Sequence, residues 1–469
     1  MNKNQARVQV QKPWLAMLSM MIGAFVGMLS ETSLNIALPQ LMQAFHLNPG
    51  TVQWLVTGYM LVIGIILPFS SLLTKWFTTR QIVITGLVSF IIGALIAALA
   101  PSFGILLLGR MIQGLGTGLV LPLMFTVAML IFPPHKMGSA MGVCALVIML
   151  APAIGPTMTG IILGKLSWQW IFWLFIPFLV IALGFAITGL PNVGKITKPK
   201  IDLLSLLESI IGFACLVMGV SFASDFGWQA PLVLILLVLG IVVLIFYVYR
   251  QLHLSTPIIN LRVFQKAAFT QGALCVMLDF AIILSAMYLL PQYLQRGLLL
   301  PVALTGIIML PGGIINACVS AFAGRLFDSW GAKKPAISGF IIAIIGIVML
   351  IFSHNDSAVG YIITAHIILM IGCPLAMSPA QTHALNALSG PQSADGSTIL
   401  NTMQQIIGAV ATALATSFLS WGQHSYHGVN QAARFTNGVH FGLYFTLILA
   451  IIGLLIAVTL KPEAKSEDL

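Results

Sequence analysis

Charge is what this sequence has least of. Only 7% of its 469 residues are Asp, Glu, Lys or Arg, while 59% are hydrophobic and the mean hydropathy is +1.03. No water-soluble chain of this length could keep so apolar a surface hydrated, so composition excludes a soluble globular protein and leaves a polytopic membrane protein. Cysteine is scarce as well. The five (Cys144, Cys215, Cys275, Cys318 and Cys373) all lie in apolar runs without a CxxC pair, the pattern of small core residues rather than of disulfides or thiolate ligands. HExxH, DxxD and P-loop motifs are missing, and His366 and His383 stand isolated. No metal and no cofactor is therefore expected, and a membrane-embedded enzyme such as a lipid-linked transferase is a remote alternative. The first apolar run is longer than a signal-peptide core and lacks a small-residue cleavage site, so no cleaved leader is expected.

What is there is apolar length. Fourteen runs long enough to span a bilayer follow one another, from 14–38 to 438–460. The net charge of +10 is distributed by side: Lys165, Arg296 and Arg434 fall on one face and Arg110 within a span, whereas every other Lys and Arg falls on the opposite face. That asymmetry is membrane-orientation chemistry. It puts both termini in the cytoplasm and argues against a nucleic-acid partner. Basic connectors set off spans 7 and 8 between two groups of six. The expected architecture is all-α, 6+2+6, with residues 1–190 as one six-helix bundle, 191–267 as two added helices and 268–469 as a second bundle with a short tail. The loop after span 2, PFSSLLTKWFTTRQ, echoes the loop after span 10, AGRLFDSWGAKK, with Ser71, Lys75 and Thr78 standing where the latter has Gly324, Asp328 and Gly331. Two parallel halves with a site between them are a transporter architecture.

The stretch Gly109–Gly118, GRMIQGLGTG, places an arginine inside a long apolar run. Arg110 there costs roughly 2.5 kcal/mol or more if it sits at the bilayer centre, and such a residue rarely faces lipid. Gln113 and Gly114 share its helix face, and Gly114 with Gly118 lets a neighbouring helix come close. Glu31 in span 1 lies about 10 Å, and Arg110 about 9 Å, below the same membrane face at 1.5 Å per residue, which makes them candidate partners. Burial favours the protonated carboxyl and a nearby arginine the ionised one, so Glu31 and Arg110 are candidates for proton coupling. A static buried ion pair is the alternative. Asn35 continues the polar face. Asp279, mid-way along span 9, is the second intramembrane acid, a proton- or cation-binding candidate against a carboxylate simply bonded to a neighbouring helix. By span order it is the counterpart of Glu31.

These strings together resemble the 14-span drug:proton antiporters of the major facilitator superfamily, the EmrB/QacA type. The resemblance rests on LSETSLNIALP in span 1, RMIQGLGTG in span 4, APAIGPTMTG in span 5, SWQWIFWLFIP (Ser167–Pro177) and the loop after span 10. Relatives usually carry aspartate where this chain has Glu31, and often arginine and asparagine where it has Gln169 and Phe175. FTTRQ after Pro68 looks most like the lincomycin-resistance branch of Gram-positive bacteria.

The resemblance implies a multi-pass protein of the bacterial cell (inner) membrane that exports amphipathic drugs, including cations, in exchange for protons by alternating access. Small-molecule drugs, protons and the lipid bilayer are its expected partners. A monomer is expected, with an accessory export protein left open. It also makes Gly155-Pro156 a seal between access states, where the bland alternative is a packing kink. In the loop framed by Gly324 and Gly331, a gating element by the same resemblance, Asp328 with Arg325 becomes a charge latch, where the alternative is a solvated loop. Asn35, Gln113, Gln381, Asn401 and Gln405 are candidate cavity lining or interhelical glue. Met124, Phe125, Phe280 and Tyr288 are candidate drug contacts, against ordinary core or lipid-facing roles. A transporter of a specific metabolite (sugar, amino acid or siderophore) on the same fold is the main rival.

Overall fold

The structure is a computed structural model that describes residues 13–132, 134–193, 196, 202–254, 257–388 and 391–460. Fourteen helices among the described residues are long and apolar enough to cross a membrane. In chain order they are α1 (Pro13–Ala44), α2 (Pro49–Trp76), α3 (Thr79–Ala98), α4 (Phe103–Ile131), α5 (Pro134–Lys165), α6 (Gln169–Gly189) and α7 (Leu203–Phe226). They continue with α8 (Pro231–His253), α9 (Ala267–Gln292), α10 (Val302–Trp330), α11 (Lys333–Ile351), α12 (Val359–Asn386), α13 (Pro391–His424) and α14 (Gln431–Thr459). The all-α polytopic expectation is met.

Local chemistry fixes several of the helix ends. Asn48 precedes Pro49, and its side chain accepts from the Thr51 N–H at 2.8 Å, capping α2. Thr78 and Gln81 form a reciprocal capping box at the start of α3, with bonds of 3.2 and 3.0 Å. Asn430 accepts from both Ala432 N–H and Ala433 N–H to open α14. Gly331, at φ 69°, takes the left-handed position that ends α10, and its N–H donates to Phe327 O at 2.8 Å. Past Pro291 the chain of α9 widens into a π-helical turn, Tyr293–Gly297.

The molecule divides into two compact units, one running to Ile258 and the other from Ile259. In the first, α1 packs on α4, α5 and α6, and α2 on α4 and α7. The helix pair α7–α8 belongs to this unit. At one end of α7 the Asp225 carboxylate accepts from Thr51 Oγ1 at 3.1 Å beside Gly50, and Trp54 lies 5.3 Å from the Phe222 ring. At the other, Asp202 takes a bidentate pair from Arg250 at 2.9 Å through each oxygen. In the second unit α12 packs on α9, α10 and α11, and α14 on α9, α11 and α13.

In each unit a glycine-lined crossing brings two helix backbones into direct contact. Gly86 and Gly93 of α3 face Gly116 and Gly109 of α4. A Cβ on Gly116 would lie 2.5 Å from Gly86 O and 3.0 Å from Phe90 N, and one on Gly93 would lie 2.7 Å from Gln113 N. The α11–α12 crossing repeats this pattern: a Cβ on Gly372 would lie 2.6 Å from Gly339 O and would also strike Ala343 N, and one on Gly346 would lie 2.6 Å from Leu369 N. Gly86 thus corresponds to Gly339, Gly93 to Gly346, Gly116 to Gly372 and Gln113 to Leu369. The two units share one register, read from atoms rather than from sequence similarity.

Candidate functional site

Arg110 is fully buried, with 0% of its surface exposed, and its guanidinium is satisfied from three helices. Its Nη1 donates to Ser30 Oγ at 2.5 Å and to Gln113 Oε1 at 2.7 Å. Its Nη2 donates to Ser30 O at 3.3 Å, and its Nε to Leu55 O at 3.1 Å. The Tyr59 ring lies 4.0 Å from the guanidinium carbon, a cation–π contact in a dry site. Tyr59 is pinned in turn, its hydroxyl donating to Gly27 O at 2.9 Å with Thr117 Oγ1 at 2.7 Å. Glu31, 2% exposed, follows Ser30 in α1 and lies within electrostatic range of both Arg110 and Tyr59. These four hydrogen bonds go to neutral oxygens, and Glu31 adds its charge to the surroundings of the cation.

The glycines of α4 divide their labour around that arginine. Gly109 and Gly116 admit α3, whereas Gly114 and Gly118 admit α2: a Cβ on Gly114 would lie 2.8 Å from Tyr59 O, and one on Gly118 would lie 2.9 Å from Ile66 Cβ. This close approach of α2 sets Tyr59 and Leu55 O against the guanidinium. Gly155 of α5 does the same for α1. A Cβ there would lie 3.2 Å from Leu29 O and 3.5 Å from Ser33 N, and would collide with Thr32 Oγ1. The Gly155-Pro156 pair therefore abuts the turn of α1 that carries Glu31. Asn35 and Gln113 are buried in the same unit, and so is Met124, while Phe125 is half-buried.

In the second unit Asp279 of α9 is likewise 0% exposed, but its surroundings differ. The Cys373 thiol of α12 lies beside it, and neither carboxylate oxygen has a hydrogen bond of ordinary geometry. Cys373 follows Gly372 as Thr117 follows Gly116, and the neighbour of Thr117 in α1 is Gly27. The shared register thus puts Asp279 level with Gly27, one turn toward the N-terminus of α1 from Glu31. Span order alone misses that turn.

The remaining expected residues are dispersed. Tyr288 and Gln405 are buried; Phe280, Gln381 and Asn401 are half-buried. Gly324 is exposed, and a Cβ on it would meet nothing within 4 Å, so packing does not require glycine there. The side chains of Arg325 and Asp328 lie outside the described residues. Asp202 and Asp225, at the two ends of α7, are engaged by Arg250 and Thr51. Ser30, Tyr59 and Thr117 went unseen in the sequence, and Cys373 was read only as a small core residue, because such side chains in an apolar helix have no spacing signature. The paired glycines did leave one: Gly86/Gly93 and Gly339/Gly346 occupy matching places in the third helix of each group of six.

The family whose description matches the chain is the Major Facilitator Superfamily, over residues 20–207 and 203–412. The chain is 48% identical over 457 residues to the lincomycin resistance protein LmrB of Bacillus subtilis, covering 95% of each chain. It is 44% identical to the lincomycin resistance protein LmrB of Listeria monocytogenes, covering 94% of this chain and 96% of that one. Among solved structures it is similar to a peptide transporter POT in complex with sulfate, with a TM-score of 0.69 at 15% identity over 95% of both chains.

Proposed function

The chain belongs to the Major Facilitator Superfamily, and we propose that it is a drug exporter of the EmrB/QacA type that exchanges lincomycin-like amphipathic molecules for protons by alternating access. The observation that carries this reading is the placement of ionisable groups: Glu31 beside the neutral-caged Arg110 in one unit, and Asp279 in the other, all at most 2% exposed. Near-full-length similarity to proteins named for lincomycin resistance supports the cargo class.

Arg110 is a permanent charge whose hydrogen-bond needs are met by groups that do not titrate. It acts as a fixed positive potential on Glu31, favouring the carboxylate, while loss of water favours the acid. A cationic or hydrogen-bonding cargo that reaches Glu31 competes with the proton for the same oxygens. Asp279 supplies a second acid with different surroundings. One elementary charge crossing about 100 mV is worth about 2.3 kcal/mol, enough for roughly a fifty-fold gradient. A one-for-one swap of proton for monovalent cation draws on the pH gradient alone, whereas two titrating acids let the membrane potential contribute.

The test uses proteoliposomes loaded with lincomycin, with and without an imposed pH gradient. Glu31→Gln and Asp279→Asn are each expected to abolish gradient-driven accumulation while leaving downhill equilibration. Full proton-coupled transport in both variants rules the assignment out.

A further inference from the structure

The shared register carries one more comparison. Gln113 corresponds to Leu369, and one turn earlier on each helix stand Arg110 and His366. The neighbours agree. Arg110 lies over Tyr59 of α2, and His366 lies against Gly312 of α10, where an added Cβ would collide with the imidazole. The loop frame that equates Thr78 with Gly331 also equates Tyr59 with Gly312. Where the first unit places an arginine on a tyrosine ring, the second places a histidine in the space that a missing side chain leaves. His366 is 3% exposed, and its Nδ1 has no hydrogen-bond partner among the described residues.

We propose that His366 is a proton-binding site of the second unit, neutral in the state seen here and charged when its pocket opens to water. An imidazolium has two N–H donors and needs two acceptors, whereas a neutral ring leaves one nitrogen bare. A buried Nδ1 without a partner fits the neutral form, and burying the charged form unpaired would be prohibitive. The ring therefore binds a proton only in a conformation that offers water or an acceptor, which makes protonation depend on access.

Few charged groups surround it. From α10 come Gly312 and the neutral Asn316, which donates to Met370 Sδ at 3.7 Å on the same face of α12. Cys318 of α10 is exposed, and Arg325 and Asp328 stand at the far end of that helix. From α9 come Cys275, Asp279 and the buried Tyr288; Asp279 lies beside Cys373, about 10 Å along α12 from His366 at 1.5 Å per residue. Helix α11 adds only Lys333 and Lys334 at its start, and α13 only Asp395 and His424 near its ends. With no carboxylate among the described side chains against the ring, His366 is a site separate from Asp279 rather than its hydrogen-bonded partner.

This inference rests on the proton-coupled reading, and two measurements keep their failures apart. In full-length protein labelled with 15N-histidine and held in lipid nanodiscs, the resonance missing from His366→Gln is expected to pass from imidazole to imidazolium between about pH 8 and pH 5. His366→Asn serves for assignment if the first variant folds poorly. A resonance that stays neutral across that range overturns the proposal, whatever transport does. In proteoliposomes, His366→Gln and His366→Arg are both expected to lower gradient-driven lincomycin accumulation by about tenfold while sparing downhill exchange. Wild-type accumulation in both also overturns it. Wild-type protein that shows no gradient-driven accumulation sinks the export reading, and the titration still decides His366.

Discussion

The two units use one kind of helix crossing to seat two different basic side chains. In the first, Gly86 and Gly93 meet Gly116 and Gly109, and the turn beyond presents Arg110 to Ser30, Leu55, Gln113 and Tyr59. In the second, Gly339 and Gly346 meet α12 at Gly372 and Leu369, and the same turn presents His366 to Gly312. One charge is permanent and saturated with partners. The other position carries a group that can gain or lose charge and has a bare nitrogen. The backbone crossing fixes where a polar group sits, and the side chain chosen there decides whether its charge is constant or conditional.

The strongest way to break the comparison is to attack the crossing itself. Overpacking a filled site typically costs about 1–3 kcal/mol. At Gly116 and Gly372 the obstruction is the opposing helix backbone, which has no rotamer to yield. Gly116→Leu and Gly372→Leu are each expected to abolish a monodisperse, folded protein on size-exclusion chromatography, and Gly324→Leu to leave it intact because nothing stands within 4 Å of that position. A well-folded Gly372→Leu beside an unfolded Gly116→Leu would show that the crossings are not equivalent.

The next effect is smaller and functional. Arg110→Lys keeps the charge but loses the planar fork that reaches Ser30, Gln113 and Leu55 at once and stacks on Tyr59. Folded yield is expected to stay near wild type, while gradient-driven accumulation falls by about tenfold. Normal coupling in this variant would reduce the arginine to a packing element and remove the contrast with His366.

Much of this was legible in the sequence, because membrane helices announce themselves by composition. The fourteen spans and the burial of an arginine at position 110 follow from apolar length and charge placement. That a helix comes close at Gly114 and Gly118 followed from their spacing, whereas its identity as α2 did not. The cage around Arg110 did not, because its acceptors are a serine, two backbone carbonyls and an aromatic face, none of which is marked by sequence pattern. His366 stood isolated in the sequence because its relation to Arg110 runs through the α4–α12 register, which only the glycine contacts reveal. The placement of Asp279 against Glu31 was off by a turn for the same reason.

The smallest expected effect tests the helix pair that has no counterpart in the second unit. Asp202 and Arg250 tie the starts and ends of α7 and α8 together, with Ser205 Oγ donating to the same carboxylate at 2.6 Å. The hydrogen bonds from Arg250 hold the Asp202 carboxyl down to about 2 from its ordinary 3.8. A carboxyl depressed on folding stabilises the folded state above its unfolded value and loses that contribution as pH falls through its folded value. The stabilisation is therefore full above pH 3.8 and gone below about 2. Both side chains are partly exposed, at 35% for Arg250 and 23% for Asp202, so solvent and salt screen the pair and its worth is small. Asp202→Asn is expected to lower the thermal midpoint slightly at neutral pH, less so in high salt, with the difference vanishing as pH drops from 3.8 toward 2. Transport by the buried charges should be untouched. A large loss of coupling in Asp202→Asn would mean that the added pair takes part in the cycle and that the two units differ by more than the charge each one holds.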